Sequence, residues 1–413
     1  MPIQVDQFPA VETTEYDWEA IRAQFNLNPE YVHLGASQFI ASHPKPVREA
    51  IARHRDALDY DPVLYSIQHE DDCTQDICKE AAAYLAMDSP NDIALTDSTT
   101  MGLGITYAGL ILHKGQEILS SEQNYYSHQE SIRWAAERAG GSFREVPLYQ
   151  NLPEATQEEM VASIIKEVKD ETRVLGLTWV HSSNGLKTPI AQIAQALTKI
   201  NKNRDQTNKV LLIVDGVHGF GVELETCKDL GCDFFIAGCH KWLYGPRGTG
   251  LVAATPEAWQ AVNPVIPSFT GVMDTIIKGQ TRPTRIDGRQ MTPGGFHSLE
   301  HRWALVEAFR FMANIGRERV YERVHQLGRL CKEGLADMPH VILHTPMEDK
   351  LSAGIISFEI RGLSVKDTVK RIVEQKVIAT EAPYDTAYAR FTPGIYNTPE
   401  EIGRALDVVW SLR

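Results

Sequence analysis

Cysteine is scarce in this chain, six in 413 residues, and the six show no dense or regular spacing. A disulfide framework is therefore not expected, and the thiols read as reduced and buried. No apolar run reaches the roughly 18 residues that a membrane-spanning helix needs. Met1–Gln7 lacks the basic and apolar stretches of a secretory signal, so a cytoplasmic chain is expected. Lysine and arginine never gather into a run, and the formal charge is −13. That balance argues against nucleic acid or a membrane surface as partner and leaves small molecules. Internal repeats and low-complexity tracts are also missing.

What is present is an ordinary soluble composition, 43% hydrophobic and 23% charged, in a chain long enough for a large core. At roughly 150 residues per domain it would divide into two or three. Strand-like runs recur at 93–96, 117–120, 144–148, 174–180, 210–214, 234–237 and 250–253, with helical patterns between most of them. This alternation predicts an α/β fold with a mostly parallel, doubly wound, seven-stranded sheet. Ligands of such sheets lie at the carboxyl ends of the strands. From Pro264 to Gly295 the sequence turns to proline, glycine and polar residues, and an amphipathic helix is predicted from near Leu299 to beyond Val324. Beyond that, a run at 353–360, a helix at about 364–375, a short run at 376–379 and a helix from Pro399 predict a smaller α+β C-terminal domain.

The chemistry concentrates at predicted strand ends. The run from Asp233 ends in Gly238-Cys-His-Lys241 and enters a glycine-containing loop. A lysine there would be partly desolvated, and its amine could lose a proton and condense with an aldehyde. The preceding run stops at Asp215-Gly-Val-His218. A carboxylate there can keep a pyridine nitrogen protonated, which turns pyridoxal 5'-phosphate into an electron sink. Thr96-Asp-Ser-Thr-Thr-Met-Gly102 offers a strand end, capping hydroxyls and a helix start suited to a phosphate, with Thr99 and Thr100 the expected contacts.

In these motifs the chain resembles the fold-type I, class V pyridoxal-phosphate enzymes. Within them it resembles the isopenicillin N epimerase-like branch that also contains cysteine desulfurases and C–S lyases. The likeness runs from about Phe25 to Ile402. It implies an N-terminal segment (1–30) packed on the small domain, a large cofactor domain (31–285), a bridge (286–315), a small domain (316–413) and a homodimer. It also implies Lys241 as the Schiff-base lysine and His218 hydrogen-bonded to the cofactor's phenolic oxygen. An aromatic ring stacks on the cofactor, with Tyr126 favoured and Tyr125 or His128 as alternatives. Thr178–Pro189 resembles the segment over the substrate side of the ring, with Ser182 where desulfurases carry Asn. Arg390, in Tyr388-Ala-Arg-Phe-Thr-Pro-Gly-Ile-Tyr-Asn-Thr-Pro-Glu-Glu401, matches the arginine that binds the substrate α-carboxylate.

Three departures qualify the likeness. Gly238 stands where relatives often have a phosphate-binding Ser, a place His240 could take. Phe296 stands where many supply a Thr from the neighbouring subunit, with Thr292 or His297 as substitutes. Residues 377–390 contain no cysteine, so desulfuration through a persulfide is not expected. The expected reaction proceeds through an external aldimine and loss of the α-proton to Lys241. β-Elimination from a cysteine derivative or its sulfoxide is favoured over epimerisation or transamination. An epimerase would need a second acid, for which Tyr126, His181 and Tyr384 are candidates. The residues 60–69 and the bridge around Phe296 are expected to shape the pocket. A different class, a zinc-stabilised binding protein using Cys227, Cys232, Cys239 and His240, is disfavoured because zinc motifs usually have tighter cysteine pairs. A relative that has lost catalysis is disfavoured by the intact Lys241, Asp215 and Arg390. No metal is expected.

Overall fold

Most of the apolar runs form strands that are buried along their whole length, whereas Ser142–Val146 at the sheet edge keeps two exposed residues. Val32–His33 is β1, and β2 to β8 are Ile93–Thr96, Glu117–Ser121, Ser142–Val146, Thr172–Thr178, Leu211–Asp215, Phe234–Gly238 and Gly250–Ala254. The computed structural model describes residues 16–35, 39–269, 273–279, 281 and 284–413. Residues 1–15 of the expected N-terminal segment lie outside them.

Strands β2 to β8 make one seven-stranded sheet in the order β2-β8-β7-β6-β5-β3-β4. Neighbours from β4 to β7 pair in parallel, whereas β8 runs antiparallel to both β7 and β2. The reversal follows from the connection: β7 and β8 are joined by a helix-free loop, which suits an antiparallel pair rather than a parallel crossover. Every residue of β5, β6, β7 and β8 is buried, as a sheet covered on both faces requires. The helix Thr99–Gly109 packs closely on this sheet, because a Cβ at Gly102 would come within 2.7 Å of the Ile236 side chain.

The predicted long helix from Leu299 past Val324 is two helices, Leu299–Ile315 and Arg317–Ala336. Gly316 separates them at φ 95°, a backbone setting that glycine adopts without steric cost. Beyond lie β9 (Val341–Leu343), β10 (Ile356–Ile360), β11 (Val377–Ile378), β12 (Thr380–Glu381) and β13 (Ala389–Phe391). Four of them form an antiparallel sheet in the order β12-β13-β10-β9, while β11 pairs in parallel with β1. Arg22 ties the N-terminal region to the C-terminal helix Pro399–Ser411 through Glu401 and the Tyr396 carbonyl, each at 2.5 Å. No described helix is long and apolar enough to cross a membrane.

Candidate active site

Adjacent strands β5, β6 and β7 end side by side, and the residues after them converge on a cavity of about 570 Å³. Ser182 follows β5, Asp215 ends β6 with His218 just beyond, and His240 and Lys241 follow β7. Thr99 and Thr100 join from the helix start and Arg390 from β13. All eight of these sequence-predicted residues line the same cavity.

Lys241 sits deep in the chain yet opens on the cavity. Burial lowers its amine to about 8, with Asp215 opposing that shift and Arg390 adding to it. Burial also raises Asp215 to about 6, against the Val217 N–H, which it accepts at 3.1 Å, and the nearby Lys241. His218 Nε2 lies 3.0 Å from Lys241 Nζ. Burial first, then the charges of Lys241 and Arg390, holds this imidazole well below its ordinary range and hence neutral. Among the described residues, no carboxylate side chain bonds Arg390: Nη1 donates to the Ser182 carbonyl at 2.5 Å and Nη2 to that of Glu381 at 2.7 Å. Burial lowers it to about 10.

Around Thr99, the hydroxyl of Ser98 caps the helix by accepting from Met101 N at 3.1 Å. The helix therefore presents its free N–H groups toward the cavity rim, a setting that favours an anion. A Cβ at Gly238 would meet His240 Cε1 at 2.9 Å and Thr99 Oγ1 at 3.0 Å. The His240 ring thus fills the space that a side chain at 238 would need, which is the physical reason for glycine there.

Three buried nitrogens of residues around this cavity, His218 Nδ1, His240 Nδ1 and Arg390 Nε, have no hydrogen-bond partner among the described residues. Buried polar atoms are nearly always satisfied, so their convergence on one cavity fits a polar ligand with several acceptors. A buried lysine of lowered pKa, a buried carboxylate and a phosphate-type helix start are together the donor set that pyridoxal phosphate requires.

The structure corrects several sequence expectations. Tyr125, not Tyr126, lies on the cavity wall. The helix Tyr126–Ala139 begins one residue later and turns Tyr126 outward, leaving it 62% exposed. His128 is buried and bonded to the Tyr107 hydroxyl at 2.8 Å, away from the cavity. His181 is no free acid, because its ring nitrogens meet the Gln123 carbonyl and the Thr188 hydroxyl, both at 3.0 Å. Thr292 accepts from Leu95 N and donates to the Gly288 carbonyl, while His297 pairs with Asp97. Within one chain, neither these two nor residues 60–69 nor Phe296, 93% exposed, line the cavity. Among the described residues, no three His, Cys, Asp or Glu side chains are placed to hold a metal.

Ser98, Glu381 and Thr380 line the cavity without having been singled out in the sequence. Ser98 carried a signal, as a capping serine directly before two threonines. The β12 residues carried none, because their place depends on pairing with β13. The turn holding Ser182 is clamped to the smaller sheet: the Ser183 and Asn184 carbonyls accept from Ser357 Oγ at 2.8 Å and Thr345 Oγ1 at 2.7 Å. The Ala353 N–H donates to the Gly185 carbonyl at 3.2 Å.

Fold and site together define an α/β enzyme scaffold built around a cofactor-type lysine. Residues 68–404 match the family model "Aminotransferase class-V", and the chain belongs to that family, which uses pyridoxal phosphate. It is 24% identical over 411 residues to isopenicillin N epimerase of Streptomyces clavuligerus, covering 96% of this chain and 98% of that protein. It is 23% identical over 417 residues to a cysteine desulfurase of Salmonella agona, covering 96% of each. A solved complex of the cystine C–S lyase C-DES with its reaction product cysteine persulfide superposes with a TM-score of 0.82. That likeness is at 21% identity, covers 92% of this chain and 98% of that one, and speaks to fold alone.

Proposed function

We propose that this enzyme cleaves the carbon–sulfur bond of a cysteine derivative or its sulfoxide by β-elimination, with pyridoxal phosphate held on Lys241. The observation that carries the reading is the triangle of Lys241, Asp215 and Arg390 on one cavity, with no cysteine among the residues that line it. When bound, the cofactor withdraws electrons from the substrate α-carbon and so acidifies its proton.

The chain's own residues have separable tasks. Asp215 keeps the ring nitrogen cationic, because its buried carboxylate faces little other positive charge than Lys241. Arg390 binds the α-carboxylate through a planar fork, its guanidinium held at the cavity by two main-chain carbonyls. Tyr125 supplies the flat ring against the cofactor face. Thr99, Thr100 and His240 take the phosphate, with His218 on the phenolic oxygen. Lys241 Nζ accepts the α-proton and returns it to the departing sulfur, so that Cα–H and Cβ–S break and the thiol S–H forms. Water then releases pyruvate and ammonia.

Epimerisation is the second reading, since the epimerase of Streptomyces clavuligerus is similar over nearly the full chain. It needs an acid facing Lys241 across the substrate, and of the three candidates Tyr126 points outward and His181 is committed at both nitrogens. The elimination reading needs only Lys241. Tyr60, Leu64, Ile67 and Phe296 are exposed, and we propose that they are covered in a homodimer, which sedimentation velocity would reveal.

Purified enzyme incubated with S-alkyl cysteines and their sulfoxides is expected to release pyruvate, ammonia and a thiol or sulfenic acid in equal amounts. Exchange of the α-proton with inversion at Cα and no pyruvate would instead establish the epimerase.

A further inference from the structure

Tyr384, so far named only as a candidate second acid for an epimerase, has its hydroxyl 2.7 Å from that of Ser182. Tyr384 belongs to the segment between β12 and β13, three residues after Glu381, the end of β12, whose carbonyl accepts from Arg390. Ser182 belongs to the turn after β5 and supplies the other carbonyl. The guanidinium is thus held by two main-chain oxygens from two separate segments, and the Tyr384–Ser182 contact is the side-chain bond that joins them. The Tyr384 ring also meets the ring of Tyr125 edge-on, with centroids 5.7 Å apart.

We propose that Tyr384 is a positioning residue that donates its hydroxyl proton to Ser182 Oγ and so turns the Ser182 O–H toward the cavity as a second donor for the substrate carboxylate, beside Arg390. This rests on the reading of Arg390 as the carboxylate site. Each hydroxyl has one proton and either could be the donor of the shared bond; Tyr384 is assigned that part because Ser182 lines the cavity and can pass its own proton on. Burial raises the Tyr384 phenol, so it remains protonated and able to donate throughout the neutral range. A carboxylate set between the unpartnered Arg390 Nε and the Ser182 hydroxyl would satisfy the orphaned nitrogen and receive two donors rather than one.

The test is equilibrium binding to the holoenzyme by calorimetry, using L-alanine and L-alaninamide, which differ only in the carboxylate. Wild type is expected to prefer L-alanine. Tyr384→Phe keeps the ring and removes the donor, and it is expected to weaken L-alanine about tenfold, the scale of one hydrogen bond to a charged group, while leaving alaninamide unchanged. Ser182→Ala should give the same loss, and the double variant no further one. In turnover, KM should rise with kcat nearly constant. Equal binding of L-alanine by wild type and Tyr384→Phe overturns the relay. A parallel loss of both ligands in Tyr384→Phe also overturns it, because the effect would then be structural. If wild type itself shows no preference for the carboxylate, and Arg390→Lys changes nothing, the Arg390 reading fails instead.

Discussion

Lys241 Nζ and His218 Nε2 are 3.0 Å apart, so the two cannot both be protonated. With His218 held well below its ordinary range, the lysine is the group that titrates, and burial sets it near 8. Only the neutral amine condenses with an aldehyde, and that form grows as pH rises. The rate at which cofactor-free protein takes up pyridoxal phosphate is therefore expected to climb through about pH 8. Stopped-flow absorbance would show the midpoint; one near 10.5, the ordinary lysine value, would contradict the desolvated setting.

Asp215→Asn keeps the shape of the site but loses the charge that stabilises a cationic ring nitrogen. Cofactor should still bind, while turnover should fall by about 10²-fold or more, the scale of removing one preorganised electrostatic partner. Titration of the bound cofactor's spectrum and steady-state pyruvate release measure the two effects separately. An active, spectrally unchanged variant would refute the assignment.

Gly238→Ser introduces the residue that related enzymes often have, yet here it should harm. Its Cβ would come within 2.9 Å of the His240 ring and 3.0 Å of Thr99 Oγ1, forcing one of two proposed phosphate contacts aside. Overpacking of about 1–3 kcal/mol implies cofactor affinity lower by roughly tenfold or more. Fluorescence titration of the cofactor-free variant would show it. Combining it with His240→Ala should recover part of the loss.

Far from the cavity, Glu223 accepts from Lys187 Nζ and His325 Nε2, both at 2.8 Å, with its side chain fully enclosed. Glu223→Ala would strand a buried ammonium whose remaining carboxylate, Glu225, lies 3.4 Å away. A stability loss of about 3 kcal/mol is expected by denaturant titration, with specific activity of the folded fraction retained.

Much of this was legible in the chain because strand ends are marked by chemistry. Asp215, His218, His240 and Lys241 each interrupt an apolar run, and a parallel sheet brings the ends of neighbouring runs together whatever lies between them. Arg390 and Ser182 were found through a family motif instead, since nothing local distinguishes one arginine in a short strand. The choice between Tyr125 and Tyr126 failed for a geometric reason. Two adjacent aromatics at a helix start point in different directions, and the first helical residue decides which faces inward. The break at Gly316 was missed because the apolar periodicity continues on both sides of it.

The clamp on the turn after β5 has a consequence for traffic. Ser357, Thr345 and Ala353 grip three successive carbonyls, and at Gly185 even a methyl group would strike the Ile355 carbonyl oxygen, 2.2 Å from where it would sit. Swinging the smaller sheet away as a rigid flap would tear all three bonds at once. Substrate is therefore expected to come and go by local yielding at the mouth, where Phe39 and Pro383 are exposed, while the floor of the pocket keeps its shape through every catalytic cycle.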